Sequence, residues 1–131
     1  MNNKLDKILA EISAGELIDK ITILEIKKNK IIDKIKLSDV EKELQSLNQT
    51  ADNHIPDKKI INSFRKELMV INSKLWDLEN SKRAAEKKGE FDEKFIVDAR
   101  NVYKLNDERA KIKLAINNAL GSNIKEVKSH E

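Results

Sequence analysis

The sequence has no cysteine, one proline and three glycines, and aromatics are only 4% of its 131 residues. Without cysteine there is no disulfide, no thiolate metal site and no cysteine nucleophile. With two histidines, His54 and His130, a multi-histidine metal centre is not expected either. So few chain-breakers leave no room for the repeated tight turns of a β-sandwich or barrel. No apolar run approaches the ~20 residues of a membrane span, and the N-terminus has no signal-peptide pattern. These absences predict a soluble cytoplasmic chain with no membrane contact. No Gly-rich phosphate loop, metal-ligand cluster or nucleophile–base pair is present, so no catalytic residue and no cofactor is assigned.

Charge is abundant but balanced. Charged residues make up 37% of the chain, with a net charge of +3. Lys outnumbers Arg 22 to 4, and Lys, Ile and Asn fill 52 positions, a bias that suits an AT-rich coding sequence. Residues 1–50 and 90–131 are each neutral, and residues 51–89 carry the whole +3. A nucleic-acid binder calls for a basic arm, interleaved aromatics or many arginines, and none is present. Nucleic acid is therefore not an expected partner.

Periodicity predicts one all-α domain over 1–131, an elongated antiparallel bundle of three long helices and one short one. The first long helix is expected at 13–36. Ser13-Ala14-Gly15-Glu16 has capping-box spacing, and Leu17, Ile21, Leu24, Ile31 and Ile35 share one face. Ser38 to Glu41 repeats the box and opens the short helix, 39–48, with Val40, Leu44 and Leu47 inward. Residues 49–56 read as a loop that holds His54, and Pro56 suits a first helical position. The second long helix, 57–88, has a coiled-coil-like seam of Ile61, Phe64, Leu68, Ile71, Leu75, Leu78, Lys82 and Ala85. Gly89 ends it, a short turn follows, and the third long helix, 92–120, closes at Gly121 before a tail over 121–131.

The last helix breaks the pattern. Phe95, Ala99, Val102 and Tyr103 start its apolar stripe and Ile116 and Leu120 end it. Between them the same face carries Asn106, Arg109, Lys113 and Asn117. Such groups need partners on a core-facing side. Asn72, Trp76, Glu79 and Arg83 border the second seam, and Glu25 and Lys28 border the first. Glu25 and Glu79 are the carboxylates expected to pair with Arg109. Three readings stand: a salt-bridge network that fixes helix register, splayed helix ends that leave this segment wet, or a pocket for a small anion centred on Arg109. Ser13 and Gly15 raise a second choice. Bare N–H groups at a helix start can hold an anion, or Gly15 can allow close approach of another helix or the tail. Trp76 and Tyr103 read as core. Ile23 and Ile26 lie off the main face and read either as ordinary exposed apolars or as the seed of a self-association surface; a homodimer or a protein partner is expected.

The opening Ser13-Ala14-Gly15-Glu16-Leu17-Ile18-Asp19-Lys20-Ile21-Thr22-Ile23-Leu24-Glu25-Ile26-Lys27 resembles the signature of a small family of uncharacterised bacterial and phage proteins. The resemblance continues at Asn72, Lys74 to Asp77, Ala99-Arg100, Val102-Tyr103, Asn106 to Ala110 and Lys128-Ser129, with His130 where that family has an aromatic. It implies a helical domain of unknown function. A weaker likeness is to all-helical chorismate mutases, which hold a dicarboxylate among Arg, Lys and Glu. The first helix here has Lys20, Lys27 and Lys28 and no Arg, so their pattern does not align. The expected function is a non-enzymatic helical interaction or scaffold protein; the alternative is an anion-binding bundle or small enzyme around Arg109.

Overall fold

The computed structural model describes residues 4–128. The resemblance at Ser129 and His130 lies outside them. Four helices follow in order: α1 (Ala14–Lys30), α2 (Lys34–His54), α3 (Lys59–Lys88) and α4 (Glu93–Leu120), with no strand among the described residues. α3 and α4 form an antiparallel hairpin. At ~1.5 Å per residue its arms are roughly 42–45 Å long. α1 packs against all three other helices, and α2 makes its close backbone contacts with α1. The core joins Leu17, Ile18, Ile21 and Leu24 of α1 to Val40, Leu44 and Ala51 of α2, with Ile55, Ile61, Leu68 and Ile116.

The helix boundaries near residue 35 differ from the sequence expectation. α1 stops at Lys30, and Ile31 takes an extended conformation. The Asp33 carboxylate accepts from the Ile35 and Lys36 N–H groups and caps α2. Asp33 thus supplies the cap assigned to Ser38, which lies inside α2. The early break turns Ile35 away from the seam: it is 78% exposed. α2 is also longer than expected and runs through the polar stretch 49–54. Ala51 explains this. It extends the Val40, Leu44, Leu47 spacing by one more step and is buried, and Ile55 follows it into the core. Pro56 then ends the helix by excluding the α region at Ile55, whose φ is −122° and ψ 86°. Pro56 is not a first helical residue, since α3 begins at Lys59 with an Asp57 carboxylate on its N–H.

The hairpin is built as the glycines indicate. Gly89 and Gly121 adopt φ of 69° and 63° and close α3 and α4 in left-handed caps. Asp92 caps α4 by accepting from Phe95 N–H. Near the turn, Ser81 of α3 donates to Asp98 Oδ2 of α4 at 2.9 Å, and Lys94 reaches the same oxygen at 2.9 Å. Two expected core residues lie elsewhere. Tyr103 is 57% exposed, and Trp76 is only half-buried.

Two outcomes follow from these contacts. Asp33→Ala lowers stability by about 1 kcal/mol, the usual worth of an N-cap, while Ser38→Ala leaves it within about 0.5 kcal/mol. Urea melts of the two variants check this. Lys94 first, then Ser81, holds the Asp98 carboxyl below its ordinary value. The depressed native pKa means that the stabilisation is complete above the unfolded carboxyl value, roughly pH 3.9. It is lost as pH falls through the lower native pKa. Asp98→Asn removes that part of the acid dependence, read from melts between about pH 2 and 5.

Candidate functional site

α1 is buried around most of its circumference, and this decides what its polar residues must do. Gly15, Asp19, Thr22 and Ile26 form a second buried stripe beside Leu17, Ile21 and Leu24. Ile26, expected off the core, is part of it, and Ile23 is half-buried. Ile26 is therefore not an exposed apolar group. Asp19 is 0% exposed. A carboxylate removed from water needs charge and hydrogen bonds to remain ionised. α4 supplies the charge. Arg109 Nε lies 3.0 Å from both Asp19 oxygens, and Nη2 binds Oδ2 in a fork. α3 supplies the rest. Asn72 Nδ2 donates to Asp19 Oδ1 at 2.9 Å and to Thr22 Oγ1 at 2.9 Å. Thr22 Oγ1 donates to the Asp19 carbonyl at 2.7 Å, and Arg109 Nη1 donates to Asn106 Oδ1 at 3.3 Å. Hydrogen bonding to Asp19 raises the Arg109 pKa above its ordinary value, against the opposing effect of burial. The guanidinium is charged at any working pH.

The polar contact between α1 and α4 continues toward the start of α1. Lys113 donates to Glu16 Oε2 at 2.5 Å. Asn117, almost fully buried, accepts from Gly15 N–H at 2.6 Å. Ser122 accepts from Ala14 N–H, and Ser13 Oγ accepts from Glu16 N–H while donating to Glu126 Oε1 at 2.6 Å. With Leu17 N–H bound to the Ser13 carbonyl, the first-turn donors of α1 all have partners. Ser13 and Gly15 therefore do not form an open anion site. Gly15 instead allows α4 to approach: a Cβ there would lie 2.3 Å from the Lys113 carbonyl oxygen. A side chain at residue 15 has to displace backbone, which a helix yields poorly.

The remaining predicted site residues divide into two groups. Asn72 and Arg109 meet at Asp19, Asn106 joins them through Arg109, and the same three line a cleft of ≈ 460 Å³ with Glu79 and Arg83. Glu79 does not reach Arg109; its nearest cation is Lys82 at 3.7 Å. Glu25 does not reach it either and pairs with Arg65 of α3. Lys28 is exposed and faces Glu41 and Gln45 of α2 across a separate groove. Sequence reasoning missed Asp19 as the partner of Arg109 because it followed only one face of α1. The signal was present in the spacing Gly15, Asp19, Thr22, Ile26, which is a second seam. No group of three or more His, Cys, Asp or Glu suited to a metal occurs among the described residues.

Residues 8–131 match the profile of DUF6165, a family of unknown function. No curated protein and no solved structure matches the chain.

The Asp19–Arg109 contact sets an expected outcome. Arg109→Ala leaves a buried carboxylate without its cation and costs about 3–5 kcal/mol. Replacing both members by apolar residues, Asp19→Leu with Arg109→Met, costs less than either single change, because no unpaired charge remains. Chemical denaturation of the two single variants and the double variant measures the coupling.

Proposed function

We propose that this chain, which belongs to the family of unknown function DUF6165, works as a helical interaction module that assembles with a second copy of itself. The observation that carries this reading lies just before α1. Residues 4–12 adopt no regular structure, yet Leu5, Ile8, Leu9 and Ile12 recur at the 3, 1, 3 spacing of one helix face. Leu5, Ile8 and Leu9 are 79%, 82% and 87% exposed. Such a run of large apolar side chains is seldom left in water. At its root is an apolar groove walled by Ile12, Leu17, Ile55, Ile60 and Leu120, and Ile60 is itself exposed.

In the assembled form, each segment folds as an amphipathic helix against the groove and segment of the other copy. Burial of these side chains against the other copy, at ~1.5–3 kcal/mol for each large one, is the driving force for assembly. The polar groups of the bundle point the same way. Among the described residues, no buried side-chain nitrogen or oxygen lacks a partner. Their hydrogen bonding is largely committed to holding the helices in register, which suits a scaffold. No helix among the described residues is long and apolar enough to cross a membrane, and the absence of cysteine fits a reducing cytoplasm.

Sedimentation equilibrium at micromolar concentration tests the proposal. The wild-type protein sediments as a dimer, and its helical circular dichroism rises with concentration as residues 4–12 fold. The triple variant Leu5→Ser, Ile8→Ser, Leu9→Ser sediments as a monomer with the melting behaviour of the isolated bundle. A strictly monomeric wild type, or a variant that dimerises equally well, overturns the reading.

A further inference from the structure

The cleft beside Arg109 has the composition of a ligand site, and it lies away from residues 4–12. Part of its lining is apolar: Ile23 of α1, Leu75 and Trp76 of α3, and Val102 of α4. Another part is rich in donors: Arg83 and Asn80 of α3, and Asn106 and Arg109 of α4. Its ≈ 460 Å³ falls within the roughly 300–1,000 Å³ of small-molecule sites. A guanidinium has five N–H donors. Arg109 commits Nε and part of Nη2 to Asp19, and Nη1 makes only a long contact, so Nη donors remain. Asp19 fixes the plane of the guanidinium from behind. Arg83 is exposed and forms no ion pair among the described residues.

We propose that this cleft binds a small organic monocarboxylate, its apolar body on Trp76 and Leu75 and its carboxylate between Arg83 and Arg109. Two guanidinium groups favour a planar two-oxygen acceptor. The charge balance sets the valence. Asp19 already offsets Arg109, and Glu79 stands in the wall with Lys82 at 3.7 Å. A dianion would meet the Glu79 carboxylate without a second free cation, and like-charge contact disfavours it. A neutral ligand would leave Arg83 without a partner.

Trp76 is the only tryptophan in the chain, so its fluorescence reports this cleft alone. The probe is cyclohexanecarboxylate, with acetate, cyclohexylmethanol and inorganic phosphate as comparisons. Cyclohexanecarboxylate produces a saturable change in Trp76 emission in the millimolar range, and each comparison binds at least about tenfold more weakly. Arg83→Gln weakens the probe by about tenfold or more while its thermal melt stays at the wild-type value, because Arg83 is exposed and unpaired. Arg83→Lys keeps the charge, loses the fork and falls between the two. No saturable change, an equal response to cyclohexylmethanol or phosphate, or an unaltered response in a folded Arg83→Gln protein overturns the proposal. Each readout is independent of oligomer size, so failure here leaves the self-assembly reading standing, and the converse also holds.

Discussion

A carboxylate with no access to water lies at the point where three helices meet, and the bundle is organised around it. Asp19 sits on the helix that touches every other helix, so it has nowhere to turn toward solvent. Its Coulombic partner comes from α4 and its amide donor from α3. A one-residue slip of either helix rotates Arg109 or Asn72 away by about 100° and leaves the charge unpaired. An apolar contact in the same place would be about as stable but would tolerate a slip. The ion pair therefore gives α1 a defined register on the α3–α4 hairpin, which a core of Leu and Ile alone specifies weakly.

The contacts around this pair depend on one another. Arg109, Lys113 and Asn117 recur at one turn of α4 and meet Asp19, Glu16 and Gly15 in reverse order on α1. That order makes α1 and α4 antiparallel. The rungs tighten toward the start of α1, where Gly15 brings the two backbones together. A larger residue at 15 would separate the helices at Asn117 and move the guanidinium relative to Asp19, two rungs away. The segment after α4 completes the arrangement: Ser122 and Glu126 reach Ala14 and Ser13. The start of α1 is thus fastened by side chains from α4 and the residues beyond it, about a hundred positions away in sequence.

The parts that the sequence made plain are those governed by local chemistry. The hairpin ends were legible because Gly89 and Gly121 serve as left-handed caps, and Ser13 was legible because its hydroxyl reaches only three residues ahead. Asn106, Arg109, Lys113 and Asn117 were recognisable as polar groups on an inward face, since one helix suffices to show that. Their partners were not, because partner choice depends on how α1 crosses the hairpin. The break at Ile31 to Asp33 was hidden for a related reason. Asp33 and Ser38 both have capping chemistry, and burial of Val40, Leu44 and Ala51 against α1 decides between them. Tyr103 erred the other way: its place near the apolar stripe suggested core, but no third helix covers that side of the hairpin.

What the bundle leaves over is apolar in one place and cationic in another, and the two follow from the same economy of partners. The four helices and the segment after α4 satisfy the buried polar side chains among the described residues, so further binding has to come from groups the fold does not use. Leu5, Ile8 and Leu9 are unused because the core closes behind Ile12, at the Ser13 cap. Arg83 is unused because no carboxylate among the described residues pairs with it; Glu25, the last acid of α1, pairs with Arg65. Ile23 and Ile26 reach the wall of the cleft beside Arg109, so the helix that holds Asp19 also borders the open site. Extending α1 past Ile31, as its apolar spacing alone would allow, would cover more of the hairpin and leave α2 no short path back to Leu17, Ile21 and Leu24. The Asp33 cap is thus the local choice that gives this fold both its two-sided central helix and its uncovered hairpin end.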